Sequence, residues 1–166
     1  MPPPVPASLS LRAERPDDGA AVEALFDGAF GPGRYAKTAE RVREGAAHAP
    51  DLSVVALDGD RLAGAARQYK VAVGEARGTF LGPFAVAADQ RGRGVGPALI
   101  AAGVEAAREA GLDFVLLVGP QAYFGPLGFT PAPAGAVSTP GPVNAARLLV
   151  RPLREGVTLA GLLSGV

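Results

Sequence analysis

The sequence predicts an α/β (α+β) chain built on a mixed, mostly antiparallel sheet of about six to seven strands flanked by helices. Three observations lead there. Strand-like and helix-like runs alternate near both ends of the chain, as crossovers require. In the middle, two strand-like runs meet at Asp58-Gly59, a strong hairpin signal. A glycine-rich loop, Arg91 to Gly96, joins a strand-like run to an amphipathic helical one.

Taken in order, Ser8 to Glu14 alternates apolar and polar residues and reads as a strand. The first six residues, four of them proline, read as part of an extended tail over 1–7, with a single domain over 8–166. Pro16 and Asp17-Asp18 start a helix whose stripe is Ala21, Val22, Leu25 and Phe26, and Gly28 to Gly33 is expected to break it. A second, weakly striped helical run spans Arg34 to Ala47. Asp51 to Leu57 and Arg61 to Val73 are strands, and Gly74 to Gly78 turns into another at Thr79. After the glycine loop, Val95, Leu99, Ala102, Ala106 and Ala110 share one helical face. Leu116 to Gly119 is the next strand; Thr130 to Pro142 is too rich in Pro, Gly and Ala to hold regular structure for long; Ala145 to Val150 is a strand. Leu159, Leu162 and Leu163 suggest a short helical turn against the body.

The loop Arg91-Gly92-Arg93-Gly94-Val95-Gly96 carries the chemistry. Its glycines let the backbone turn tightly at a helix start, where free N–H groups and the helix dipole favour an anion, and Arg91 and Arg93 add positive charge. A phosphate-cradling P-loop would need a Lys and a Ser or Thr after the glycines, and these are absent. A dinucleotide fingerprint would place its third glycine one residue later, near the first strand. A glycine turn that binds nothing is the plain alternative.

The pattern R-x-x-G-x-G formed by Arg91, Gly94 and Gly96 resembles the acetyl-CoA loop of the GNAT N-acetyltransferase superfamily. Leu81 to Val86 resembles the strand before that loop, and Ala122 to Phe129 is similar to the family's late tyrosine and Gly-Phe segment. The order and spacing of these pieces match over about Arg77 to Pro131. The resemblance implies transfer of an acetyl group from acetyl-CoA to the primary amine of a small molecule or peptide. It implies cofactor contacts from Phe84, Ala85 and Val86, from Arg91, Gly92, Arg93, Gly94, Val95 and Gly96, and from Tyr123 and Phe124. A backbone N–H near Phe84 to Val86 would polarise the acetyl carbonyl.

The family's usual proton donor stands four residues before the Gly of the final Gly-Phe, and here that position is Phe124. Tyr123, one residue earlier, is either a substitute acid or a packing residue under the cofactor. For a base, Asp27, Glu40, Glu44 and Glu75 read first as surface acids, and His48 as the end of a helical run. Tyr35 borders the region where this fold takes its acceptor, as a pocket wall or as plain packing. A CoA-binding module with little turnover, acting as a sensor or partner subunit, is the second function that this residue set allows.

Composition narrows the rest. The 166 residues balance 16 acidic against 16 basic side chains and contain no cysteine and one histidine. Disulfides, thiolate chemistry and multi-histidine metal sites are excluded, and the even charge favours neither nucleic acid nor a membrane surface. No G-x-S-x-G elbow supports a hydrolase. With no apolar core of a signal peptide, a cytoplasmic location is expected, and a homodimer stays open.

Overall fold

The structure is a computed structural model and describes residues 7–166, so the expected tail lies, up to residue 6, outside the described residues. Ten strands form the sheet. Seven make its main path, in the order β1 (Leu9–Ala13), β3 (Val54–Asp58), β4 (Arg61–Val73), β5 (Ala76–Val86), β6 (Phe114–Val118), β9 (Leu148–Pro152) and β7 (Thr130–Pro131). Along that path only β5 and β6 run parallel. Three short strands, β2 (Ala47–His48), β8 (Val137–Ser138) and β10 (Gly161–Gly165), attach beside it.

Side chains alternate across a strand, and both faces of this sheet are covered. Val54, Ala56, Val115 and Leu117 pack against α3 (Val95–Glu109), the helix after the glycine loop. On the opposite face Val55, Ala65 and Ala85 meet Val22 and Phe26 of α1 (Gly19–Phe30). Phe80, Phe114 and Leu116 form a further cluster with Val42 of α2 (Thr38–Glu44) and with Leu163 of β10. The buried stripe of α3 is Val95, Leu99, Ile100, Gly103, Val104 and Ala107, rotated away from the expected line through Ala102, Ala106 and Ala110.

Several boundaries differ from the sequence reading. α1 runs through Gly28 and stops at Gly31, whose φ of 66° leaves the helical region just before Pro32. A glycine inside a helix costs roughly 1 kcal/mol, too little to end one already anchored by Val22 and Phe26. The second helical run shortens to a 3-10 turn, Pro32–Ala36, and the seven-residue α2. His48 therefore sits in β2, not at a helix end. The β4–β5 turn is tighter than expected, with Val73 paired to Ala76. Ala145–Arg147 is a 3-10 turn ahead of β9. The leucine-rich tail is strand β10, paired antiparallel to β4 and parallel to β8.

One irregularity positions everything that follows. Ala66 pairs with Phe84 and Gln68 with Leu81, so Gly82 and Pro83 together oppose the single residue Arg67. This is a bulge on β5, at a proline that could not donate to a regular ladder. On its other edge β5 pairs with β6 only over Gly78–Phe80, opposite Phe114–Leu116. Beyond those residues the two parallel strands part.

Candidate functional site

Where β5 and β6 separate, a cavity of about 890 Å3 opens between Leu81–Phe84 on one strand and Leu117–Pro120 beyond the other. Its far wall comes from the 34–43 segment and from Pro142 to Arg147. These two segments are tied together by the Thr38 hydroxyl, which donates to the Pro142 carbonyl at 2.7 Å. A second groove, about 430 Å3, runs along the glycine loop and is lined by Arg91, Gly92, Gly94, Val95 and Gly96 together with Phe84 and Val86. Phe84 and Tyr123 line both spaces and so form the passage between them.

The loop has the geometry of an anion seat. Gly92 and Gly94 both take φ of 79°, and Gly94 is the N-cap of the 15-residue α3. The first N–H groups of such a helix lack intrahelical partners and face outward. Among the described residues Arg91 has no carboxylate within ion-pair distance, so its charge is available to the groove. At Gly96 the space is already taken: a Cβ there would run into the Tyr123 hydroxyl and come within 3.2 Å of Phe84 Cζ, so a side chain would push on both rings.

The other expected site residues divide. Arg93 does not turn its side chain into the groove; it donates to Gln90 Oε1 at 2.5 Å and pairs with Asp58 at 3.3 Å, leaving only its backbone to the loop. Ala85 is buried under α1, whereas Phe84 and Val86 face the α3 side. Phe124 is 7 % exposed and packs edge-on against Tyr123 and Phe129. Tyr123 is 39 % exposed, its ring 6.1 Å from that of Phe84, and burial pushes its phenol above the ordinary tyrosine value.

None of the five proposed bases or base-like acids lines either space. Asp27 pairs with Arg34 and Glu40 with Arg43. His48 faces Ser53 at 3.2 Å and Glu14 at 3.8 Å, inside a buried polar cluster. Tyr35 also lies off the cavity; its hydroxyl accepts a hydrogen bond from Arg34 at 2.6 Å while its ring stacks on that guanidinium. The neighbouring Arg34 lines the cavity instead, with Lys37, Arg43 and Arg147. Sequence reasoning missed these four cations because three lie within residues 34–43 and the fourth more than a hundred residues further on, with no spacing that links them.

The model of the acetyltransferase (GNAT) family matches residues 20–124. The structure is similar to a GNAT family N-acetyltransferase, YhbS, from Escherichia coli, solved in complex with CoA: TM-score 0.77 at 24 % identity, covering 98 % of this chain and 91 % of that one. It is similar to a GNAT family acetyltransferase from Brucella melitensis in complex with acetyl-CoA, with a TM-score of 0.68, 24 % identity and 94 % coverage of each chain. An acetyltransferase of the same family from Staphylococcus aureus Mu50 gives a TM-score of 0.64 at 12 % identity, over 88 % of this chain and 99 % of that one. No curated protein matches the chain. Among the described residues no helix is long and apolar enough to cross a membrane, and no cluster of metal-ligating side chains occurs.

Proposed function

We propose a function from one premise: this chain belongs to the acetyltransferase (GNAT) family. The proposed reaction is acetyl transfer from acetyl-CoA to the primary amine of a small molecule or peptide. The observation that carries it is the passage at Phe84 and Tyr123, which connects an anion-binding groove to a cavity large enough for an acceptor.

The residues present fit the cofactor. The N–H groups at the start of α3, with Arg91, suit a pyrophosphate. Phe84 and Val86 offer an apolar wall for a pantetheine arm. When bound there, acetyl-CoA supplies an acetyl thioester to the acceptor amine. In the balanced reaction an N–C bond forms and a C–S bond breaks, and the proton lost by nitrogen matches the one gained by sulfur. The bulge at Gly82-Pro83 and the parting of β5 from β6 leave strand backbone near Phe84 free to polarise a carbonyl. Tyr123 holds a proton on its Oη at the passage and would be the residue to offer it to a departing thiolate. No carboxylate or histidine lines the cavity among the described residues, so the acceptor amine arrives neutral or loses its proton to water. Positioning two reactants supplies ~7–11 kcal/mol of barrier reduction by itself, so turnover does not require a dedicated base.

The test is calorimetric titration with acetyl-CoA, followed by free-thiol detection with an amine panel between pH 7 and 9. Amine-dependent thiol release that rises with pH is expected, because the neutral fraction of an amine of pKa ~10.4 grows tenfold per unit there. Tight acetyl-CoA binding without amine-dependent release would identify a binding module, a sensor or partner subunit.

A further inference from the structure

The acceptor end of the cavity is unusually one-signed for a chain whose acids and bases balance. Its lining includes Arg34, Lys37, Arg43 and Arg147 and, among the described residues, no Asp or Glu. Two of these charges are spoken for: Arg34 pairs with Glu23 at 2.6 Å and Asp27 at 3.0 Å, and Arg43 with Glu40 at 3.0 Å. Lys37 and Arg147 have no carboxylate within 4.0 Å among the described residues. Even Arg34, 6 % exposed, keeps its Nε without a hydrogen-bond partner.

The backbone holds these charges at the cavity. Lys37 immediately precedes Thr38, whose hydroxyl is bonded to Pro142 at 2.7 Å. Arg147 ends a 3-10 turn capped by Asn144, and its carbonyl accepts from Gly119 N at 2.9 Å, at the end of the parted strand β6. None of the four lines the groove at the glycine loop, so their charge is separate from the phosphate seat.

We propose that the acceptor is an amine that also carries an anionic group, a carboxylate or a phosphate, held by Lys37 and Arg147. This rests on the acetyltransferase reading. A cavity with two uncompensated cations repels ammonium-only acceptors such as polyamines and attracts the negative end of an amino acid or an aminoalkyl phosphate. The same field favours the neutral form of the acceptor nitrogen, the form that attacks, in a cavity that offers no base.

The experiment compares matched amines in the presence of acetyl-CoA: 4-aminobutanoate against 4-aminobutanamide and 1,4-diaminobutane, and phosphoethanolamine against ethanolamine. The expected result is a kcat/KM for at least one anionic amine roughly tenfold or more above its uncharged partner, as a charge-assisted contact provides. The two series separate a carboxylate from a phosphate acceptor. In Lys37→Ala/Arg147→Ala that preference should collapse toward unity while the acetyl-CoA KM stays within about twofold. If neutral or dicationic amines react as well as the anionic ones, the inference fails and the transferase stands. A large loss of acetyl-CoA affinity in the double variant overturns it too, because the cations would then serve the cofactor. If no amine reacts, calorimetry of the same amines on CoA-saturated protein decides. Selective binding of an anionic amine keeps the anion seat at Lys37 and Arg147 and removes only the transfer step; no selectivity overturns the inference.

Discussion

Tyr123 and Phe124 are adjacent in the chain and live in opposite surroundings. Neighbours on a helix point ~100° apart, so when Phe124 is driven into the core against Phe129, Tyr123 is left at the passage between groove and cavity. The family pattern read on sequence alone points to Phe124, and the register of one short helix, Gln121–Phe124, puts the Tyr123 ring at the passage. Its raised pKa keeps the proton in place through the working range. Tyr123→Phe should therefore lower kcat by about 10²-fold, the lower end for general acid help, since a thiolate leaves without full protonation. The acetyl-CoA KM should move by less than about twofold, because the ring and its contact with Phe84 remain. An unchanged kcat in steady-state assays would return Tyr123 to a packing role.

At the scale of elements, two approaches set the site. The first is α3 against β5. A Cβ on Gly96 would meet Phe84 Cζ at 3.2 Å and Val86 Cγ2 at 3.5 Å, besides the Tyr123 hydroxyl. Gly96→Val should fill the groove and weaken CoA binding by roughly tenfold or more, with far-UV circular dichroism unchanged. Wild-type affinity in a folded variant would put the phosphate seat elsewhere. The second approach is the bulge on β5, opposite Arg67. Arg67 is 8 % exposed and donates to both carboxylate oxygens of Glu14, at 3.0 and 3.1 Å, and also to Glu23. Arg67→Met would leave Glu14, itself 8 % exposed, without its guanidinium partner and, among the described residues, with only His48, at 3.8 Å, beside it. The expected cost in urea denaturation is ~3–5 kcal/mol, partly recovered in the Glu14→Gln/Arg67→Met double variant. A loss under about 1 kcal/mol would mean that water reaches Glu14. The strands of the main path other than β7 were legible from alternation and turn residues. The end of α1 and strand β10 were not, because α1 carries through Gly28 on the anchorage of Val22 and Phe26, and β10 forms only by pairing with β4 and β8.

The whole molecule carries a pH dependence through His48. Burial holds its pKa below the ordinary imidazole value; the charge of Glu14 opposes this, that of Arg67 adds to it, and that of Glu23 opposes it. The unfolded chain protonates near ~6.5, before the folded one does. Unfolding free energy should therefore be fully present above ~6.5, fall as the pH drops below that value, and level off once the folded histidine also takes a proton. Urea midpoints from pH 5 to 8 should show this decline in the wild type and a flatter curve in His48→Asn. Identical curves would exclude His48 as the source. Asp18, Asp58 and Asp113 have depressed pKa values, Asp18 and Asp58 chiefly through side-chain hydrogen bonds and Asp113 through the Arg77 backbone N–H. Their contribution is lost at more acid pH, as it falls through ~3.9 toward those lower values.

Sequence alone determined the mixed sheet, the glycine loop at the strand-to-helix junction and the family that loop announces. Each is local: alternation, a hairpin turn and free N–H groups at a helix start need only a few consecutive residues. Tertiary structure decided which charges line the cavity. Arg34, Lys37, Arg43 and Arg147 become neighbours only because β5 and β6 part beyond Phe80 and Leu116 and two distant segments close over the gap. It also decided that Arg93 turns to Asp58 and that Tyr123, not Phe124, reaches the passage. Those outcomes depend on which side chain fits a shared space, and contacts across more than a hundred residues leave no periodic trace in the chain.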